Sequence, residues 1–310
     1  MDIAKVIAQE LGIRAGQVEA TVKLIDEGCT IPFIARYRKE VTGSLNDEVL
    51  RDLYERLNYL RNLEERKETV IASIEEQGKL TDALKKQILD AMTLVAVEDL
   101  YRPYKQKRRT RATIAKEKGL EGLANIIYLQ MADHPIETDA QEYISEEKGV
   151  ASVDEAITGA LDIIAENISD EAEYRTYIRD ITVKEGKLVT AAKDAEAKSV
   201  YEMYYDFEEP IAKAAGYRIL AINRGEKEKV LSVKVMAPEE RILRYLEKKI
   251  IVRDNPYTTP LLQQAVEDSY KRLISGAIER EIRSDLTEQA EDGAIAVFGK
   301  NLKQLLMQPP

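Results

Sequence analysis

Residues 46–77 read NDEVLRDLYERLNYLRNLEERKETVIASIEEQ, and their spacing decides the fold class. Val49, Leu53, Leu57 and Leu60, then Val70, Ile71 and Ile74, recur at the interval that places side chains on one face of an α-helix. Asn46 suits an N-cap, and Asp47 and Glu48 suit the positive end of the helix dipole. A helix of this length would span roughly 45 Å. The apolar seam fades over Glu64–Thr69, which predicts a kink or an exposed middle. Gly78 closes the helix and Thr81 caps a shorter one carrying Leu84, Ile88 and Ala91, so the pair reads as an αα-hairpin.

Helical signals continue in both directions. Upstream, Ile3, Val6, Ile7 and Leu11 share a face and Gly12 stops the helix. Val18, Val22 and Ile25 make a second helix, stopped at Gly28. Downstream, Leu120–Met131 is helical, and Ser152 with Glu155 forms a capping box before Ala156–Ile168. A helix restarts at Ser169 and carries Tyr174, Tyr177 and Ile178. The signal stops around Lys184–Lys187, which takes no assignment, and a further helix runs through Val200, Met203 and Tyr204. The convincing β signal is Tyr217–Val235, where YRILAI and VLSVKV flank the polar Asn223–Lys227 and predict a hairpin with a glycine-bearing loop. Helices resume at Glu239–Arg253, again after Pro260 through Ile282, and finally towards Met307. The expected fold is mostly α, a multihelical array with one short β-hairpin at about 217–235. The expected division is a multihelical region over 1–205 and a helical segment with the hairpin over 206–310.

Composition narrows the function classes. The chain has 310 residues, 44% hydrophobic and 33% charged, with a formal net charge of −10. That is a globular composition, richer in charge than usual. The stretch MDIAKVIAQE carries charges where a signal peptide needs an apolar core, and no apolar run reaches membrane-spanning length, so a cytoplasmic protein without membrane partners is expected. Cys29 is the single cysteine, which excludes an internal disulfide and a multi-cysteine metal site. His134 is the single histidine and is followed by Pro135; it reads as a surface or cap residue. No phosphate-binding glycine loop occurs, and carboxylates such as Asp162, Glu166 and Asp170 lie along helical faces. These counts lead us to expect no enzyme, no catalytic residues, no metal and no cofactor.

Against the acidic background, Glu98–Glu121 (EDLYRPYKQKRRTRATIAKEKGLE) carries a basic island. Arg102, Lys105, Lys107, Arg108, Arg109 and Arg111 occur without an intervening acid, with Tyr101 and Tyr104 beside them. Cations interleaved with flat rings suit a phosphate backbone and its bases. The same composition suits a solvated loop whose charges contact neighbouring acids. A second cluster, Arg36, Arg38 and Lys39 around Tyr37, follows the apolar Ile31, Phe33 and Ile34. It reads as a further phosphate contact or, more readily, as a core-anchored turn whose arginines hold acids elsewhere.

The stretches TIPFIARYRKEVTGSL (30–45), EDLYRPYKQKRRTRATIAKEKGLEGLA (98–124), SVDEAITGALDIIAENISD (152–170), AINRGEKEKVL (221–231) and AIEREIRSDLTEQAEDGAIAVFGKNLKQLLMQPP (277–310) resemble the bacterial Tex family of transcription accessory proteins, in collinear order. The resemblance implies a multihelical fold with a helix-turn-helix-like portion and a role in RNA or DNA binding linked to transcription. Family members continue into RNase H-like, helix-hairpin-helix and OB-fold RNA-binding domains, so this chain is expected to correspond to their N-terminal helical part. No catalytic residue carries over. Two functions follow as expectations. One is weak, non-specific contact with nucleic-acid phosphates, where about six neutralised phosphates give a log–log salt slope near −5. The other is a scaffold that positions downstream domains and docks a protein such as RNA polymerase.

Overall fold

In the computed structural model, which describes residues 1–308, the long amphipathic stretch is one unbroken helix at the centre of the first of two units, Met1–Lys105. That unit is built from α1 (Ile3–Leu11), α2 (Ala15–Asp26), α3 (Ile31–Tyr37), α4 (Lys39–Thr42), α5 (Asp47–Glu76), α6 (Asp82–Asp90) and α7 (Leu94–Tyr101). The Asn46 side chain accepts the Val49 N–H at 2.8 Å and caps α5. Leu50, Leu53, Leu57, Leu60 and Leu63 are buried along one side, against Ile7, Val18 and Ile34 of the earlier helices. The seam that fades in the sequence is completed by Lys67. Its side chain is 1% exposed, and its Nζ donates to the Leu89 carbonyl at 2.8 Å and meets Glu64 at 2.9 Å. The aliphatic stem fills the place of a leucine while the ammonium finds acceptors.

The second unit, from Gln106 onward, contains α8 (Arg111–Glu117), α9 (Glu121–Leu129), α10 (Ile136–Ala140), α11 (Val153–Asp170), α12 (Ala172–Glu185), β1 (Lys187–Ala192), β2 (Asp206–Pro210), α13 (Gly216–Lys227), β3 (Leu231–Met236), α14 (Glu239–Ile250), α15 (Thr259–Asp268) and α16 (Ser275–Leu306). Its spine is α11, which the Ser152 hydroxyl caps at Glu155 N, 3.2 Å away. Ala156, Ala160 and Ala165 alternate with Ile163, Ile164 and Ile168 on its buried side, which lets α8, α9 and α15 pack closely. A π-helical segment, Ser269–Ile274, joins α15 to α16. Arg175, wholly buried on α12, and Arg179 both bond Glu281 of α16, at 3.1 and 2.7 Å.

The fold is mostly α with a small β element, as expected, but that element differs from the hairpin expected at about 217–235. YRILAI lies within α13, and the sheet is three-stranded and antiparallel in the order β2-β1-β3, with Leu188 opposite both Glu209 and Val235. Gly225 misleads. It sits inside α13, where a Cβ would lie 2.7 Å from a Leu231 methyl, so it serves close packing and not a turn. The chain reverses further on, where Lys229 takes the left-handed conformation with φ 63°. Lys184–Lys187, unassigned from sequence, is the junction of α12 and β1. The helix expected through Val200, Met203 and Tyr204 reduces to a single 3-10 turn, Glu202–Tyr204, leading into β2.

Candidate nucleic-acid interface

The basic island is divided between the two units. Arg102 and Tyr104 form a 3-10 turn at the end of α7, followed by Lys105. The Tyr104 ring is partly buried against the first unit's core, and its carbonyl accepts from Gln77 Nε2 at 2.9 Å. Tyr101 is likewise engaged, through Ser73 at 3.0 Å and an Arg66 guanidinium 5.4 Å from its ring centroid. Lys105 lies 3.9 Å from Glu98. In the second unit Lys107 bonds Asp170 and stands 3.7 Å from Glu166, with only 26% of its side chain exposed. Arg109 bonds Glu117 at 2.9 Å. Arg111 lines a cavity that also holds Asp162. Burial pushes the Asp162 carboxyl above the usual carboxylate range, opposed by Arg272 and then by Arg111. Arg108 is exposed and has no ion pair among the described residues. The exposed Arg109–Glu117 pair is worth little and can open to another anion, whereas Lys107 is held from two sides in a half-buried setting.

The second cluster has the opposite character. Pro32 starts α3, and Ile34 anchors it with no exposed surface. The other face of α3 carries Phe33, 38% exposed, and Tyr37, 62% exposed, with ring centroids 5.3 Å apart. The Arg38 guanidinium stands 5.5 Å from the Phe33 ring centroid and donates to the Tyr37 carbonyl at 3.3 Å. Arg36, Arg38 and Lys39 are exposed and have no ion pair among the described residues. The expectation that these arginines hold acids elsewhere is therefore corrected. The turn is core-anchored through Ile34, but its charges face water. Sequence reading also placed Phe33 with the apolar anchor. Its separation of four residues from Tyr37 puts both rings on one helix face, which was the available signal.

Two further placements bear on function. His134 is exposed and lies between Asp133 and Asp139. Among the described residues no group of three or more histidine, cysteine or carboxylate side chains is placed to hold a metal, and no helix is long and apolar enough to cross a membrane.

Comparison with known proteins gives two matches to family models. One, described as Tex-like protein N-terminal domain, covers residues 1–75; the other, Tex central region-like, covers 132–298. Arg36, Arg38 and Lys39 fall inside the first span, and 102–111 falls between the two. The chain is 52% identical over 307 residues to the uncharacterized protein YdcI of Bacillus subtilis, covering 98% of this chain and 43% of that one. It is 40% identical over 320 residues to the transcriptional accessory protein Tex of Neisseria gonorrhoeae, covering 100% and 42%. It is 30% identical over 325 residues to the S1 RNA-binding domain-containing protein 1 of Homo sapiens, covering 100% and 32%. The chain thus spans less than half the length of these relatives.

Proposed function

The chain belongs to the Tex-like family, and from that premise we propose that it is the N-terminal helical module of a cytoplasmic transcription accessory protein, contacting RNA or DNA phosphates weakly and without sequence preference. The observation that carries the proposal is the group Arg36, Arg38 and Lys39, without an ion pair among the described residues and beside the exposed Phe33 and Tyr37. Guanidinium and ammonium groups already neutralised by carboxylates must break those pairs to take a phosphate; these three need not. In this reading α2, the four-residue turn 27–30 and α3 are the helix-turn-helix-like portion, with α3 presenting the contact face. Arg108 and Arg111 give the second unit a smaller phosphate contact of its own. The relatives whose names refer to transcription or RNA binding support the nucleic-acid reading. The net charge of −10 keeps affinity low by long-range repulsion. The module itself performs no chemistry, so a nuclease assay with magnesium is expected to be blank.

Fluorescence anisotropy on a short single-stranded RNA and a duplex DNA across a salt series tests the proposal. With about three phosphates neutralised, the log–log slope is about −2 on the single strand and nearer −3 on the duplex. The triple variant Arg36→Ala, Arg38→Ala, Lys39→Ala is expected to lose most of the binding and flatten the slope. No binding at low salt, or binding indifferent to the triple variant, would refute it. A second reading, a scaffold that docks a partner such as RNA polymerase, is favoured by the acid-paired state of Lys107. Under that reading polymerase is retained by immobilised chain and the triple variant changes nothing.

A further inference from the structure

A cavity of about 300 Å³ in the second unit has a lining that the phosphate-binding reading does not use. Its floor is apolar, made by Ile164 and Ile168 of α11 and by Ile250 at the end of α14. Its rim is polar. Asn125 and Tyr128 stand three residues apart on α9, Asn167 lies on α11, and Glu171 and Tyr174 stand at the start of α12. Neither asparagine amide nor the Glu171 carboxylate has a hydrogen-bond or ion-pair partner among the described residues. The nearby cation Lys249 is committed elsewhere, to Glu173 at 2.6 Å and to the Tyr245 ring at 5.7 Å. Tyr174 is held edge-on against Tyr245, with ring centroids 6.1 Å apart. Burial, followed by the proximity of Tyr128 and Glu171, pushes the Tyr174 phenol up to about 12, so this wall stays uncharged and the cavity disfavours added negative charge.

We propose that this cavity binds a lysine or arginine side chain of an extended peptide segment, with Asn125 and Asn167 bonding the peptide backbone and Glu171, Tyr128 and Tyr174 receiving the cationic head. Each element answers one part of such a ligand. A side-chain amide offers a donor and an acceptor together, the same pair a peptide unit presents in reverse. The isoleucine floor takes the aliphatic stem. Tyrosine faces and a carboxylate without a counter-ion attract a cation. A nucleic-acid strand fits poorly, because no lysine or arginine lines the cavity and Glu171 repels phosphate. The volume is at the lower end for small-ligand sites, which suits one side chain with its backbone unit.

Methyl NMR on the full 310-residue chain with labelled isoleucine provides the test, since Ile164, Ile168 and Ile250 report directly from the floor. The probes are acetyl-Ala-Lys-Ala-amide and its arginine analogue, with acetyl-Ala-Glu-Ala-amide, butylammonium and AMP as comparisons. The cationic peptides are expected to shift these three methyls saturably with Kd on the order of millimolar. Glu171→Gln and Tyr128→Ala are each expected to weaken them roughly tenfold. Asn167→Ala is expected to weaken the peptides but not butylammonium. All three positions are exposed, so the remaining methyl spectrum should be unchanged. The proposal is overturned if the cationic peptides leave the floor methyls unmoved, or if Glu171→Gln has no effect. It is equally overturned if butylammonium binds as tightly as the peptides, which would make this a free-amine site, or if AMP is preferred, which would make it a nucleobase site.

Discussion

His134 shows how a single side chain in this fold couples to pH. Its Nδ1 lies 2.6 Å from Asp133 Oδ1 and its Nε2 3.1 Å from Asp139 Oδ1. These two bonds, Asp133 first, raise its pKa above the ordinary 6.5. A raised folded pKa means that the stabilisation is fully present below the unfolded value and is lost as pH rises through the folded one. Asp133 has the opposite sign: its pKa is lowered, first by His134, so its contribution is present above the unfolded value and lost as pH falls. Because the chain has one histidine, its Cε1 proton resonance can be followed alone. The titration midpoint is expected above 6.5 in the native protein and closer to 6.5 in Asp139→Asn; an unshifted midpoint in the native chain would contradict the geometry. Lys67 gives a stability counterpart. Lys67→Ala leaves a hole in the α5 seam and strips the Leu89 carbonyl of its donor, a loss of about 2–4 kcal/mol in urea unfolding. Lys67→Met, which refills the space, should recover at least half of it. Sequence alone hid this residue, because a buried lysine is spelled like a solvated one.

At the scale of elements, what was legible depended on whether the determining contact was local. The caps at Asn46, Thr81 and Ser152 were readable because each acts on a backbone N–H three residues away. Of the strands, β3 was legible in VLSVKV, whereas β1 and β2 were not. β1 is KLVTAA and β2 is DFEEP, neither rich in strand-forming side chains, and β2 tolerates Pro210 because it lies at the sheet edge. Their pairing is a tertiary decision. The basic clusters were legible as charge, but their state was not: Lys107 finds Asp170 sixty-three residues on, while Arg36 finds no acid among the described residues. Gly225, read as a turn, can be tested directly. Gly225→Ala forces a methyl against Leu231 and should destabilise by about 1–3 kcal/mol. Gly293→Ala, also inside a helix but with open space around it, should stabilise by about 0.5–1 kcal/mol. If Gly225 were a hairpin turn residue with no close neighbour, the two substitutions would not separate in this way in thermal denaturation.

The division of the whole molecule into Met1–Lys105 and the remainder gives the functional proposal its most decisive test. The first unit has a core of its own: the buried cluster from Ile7 to Val97 is drawn entirely from its residues, organised along α5. Its ion pairs Arg56–Glu10, Arg61–Asp26 and Arg66–Glu98 also close within it. A chain of this length with one contiguous core is in the range where domains fold alone. The fragment 1–105 is therefore expected to give a helical circular-dichroism spectrum and a single cooperative melt. A gradual, non-cooperative loss of signal would mean that the core depends on the rest of the chain. If the fragment folds, it separates the two basic clusters, because Arg36, Arg38 and Lys39 stay with it while Lys107–Arg111 do not. Binding of single-stranded RNA by 1–105, with a salt slope of about −2, would assign the phosphate contact to α3 and α4. Binding confined to the second unit would return it to the island, and the acid partners of Lys107 and Arg109 would then have to open each time a phosphate is taken.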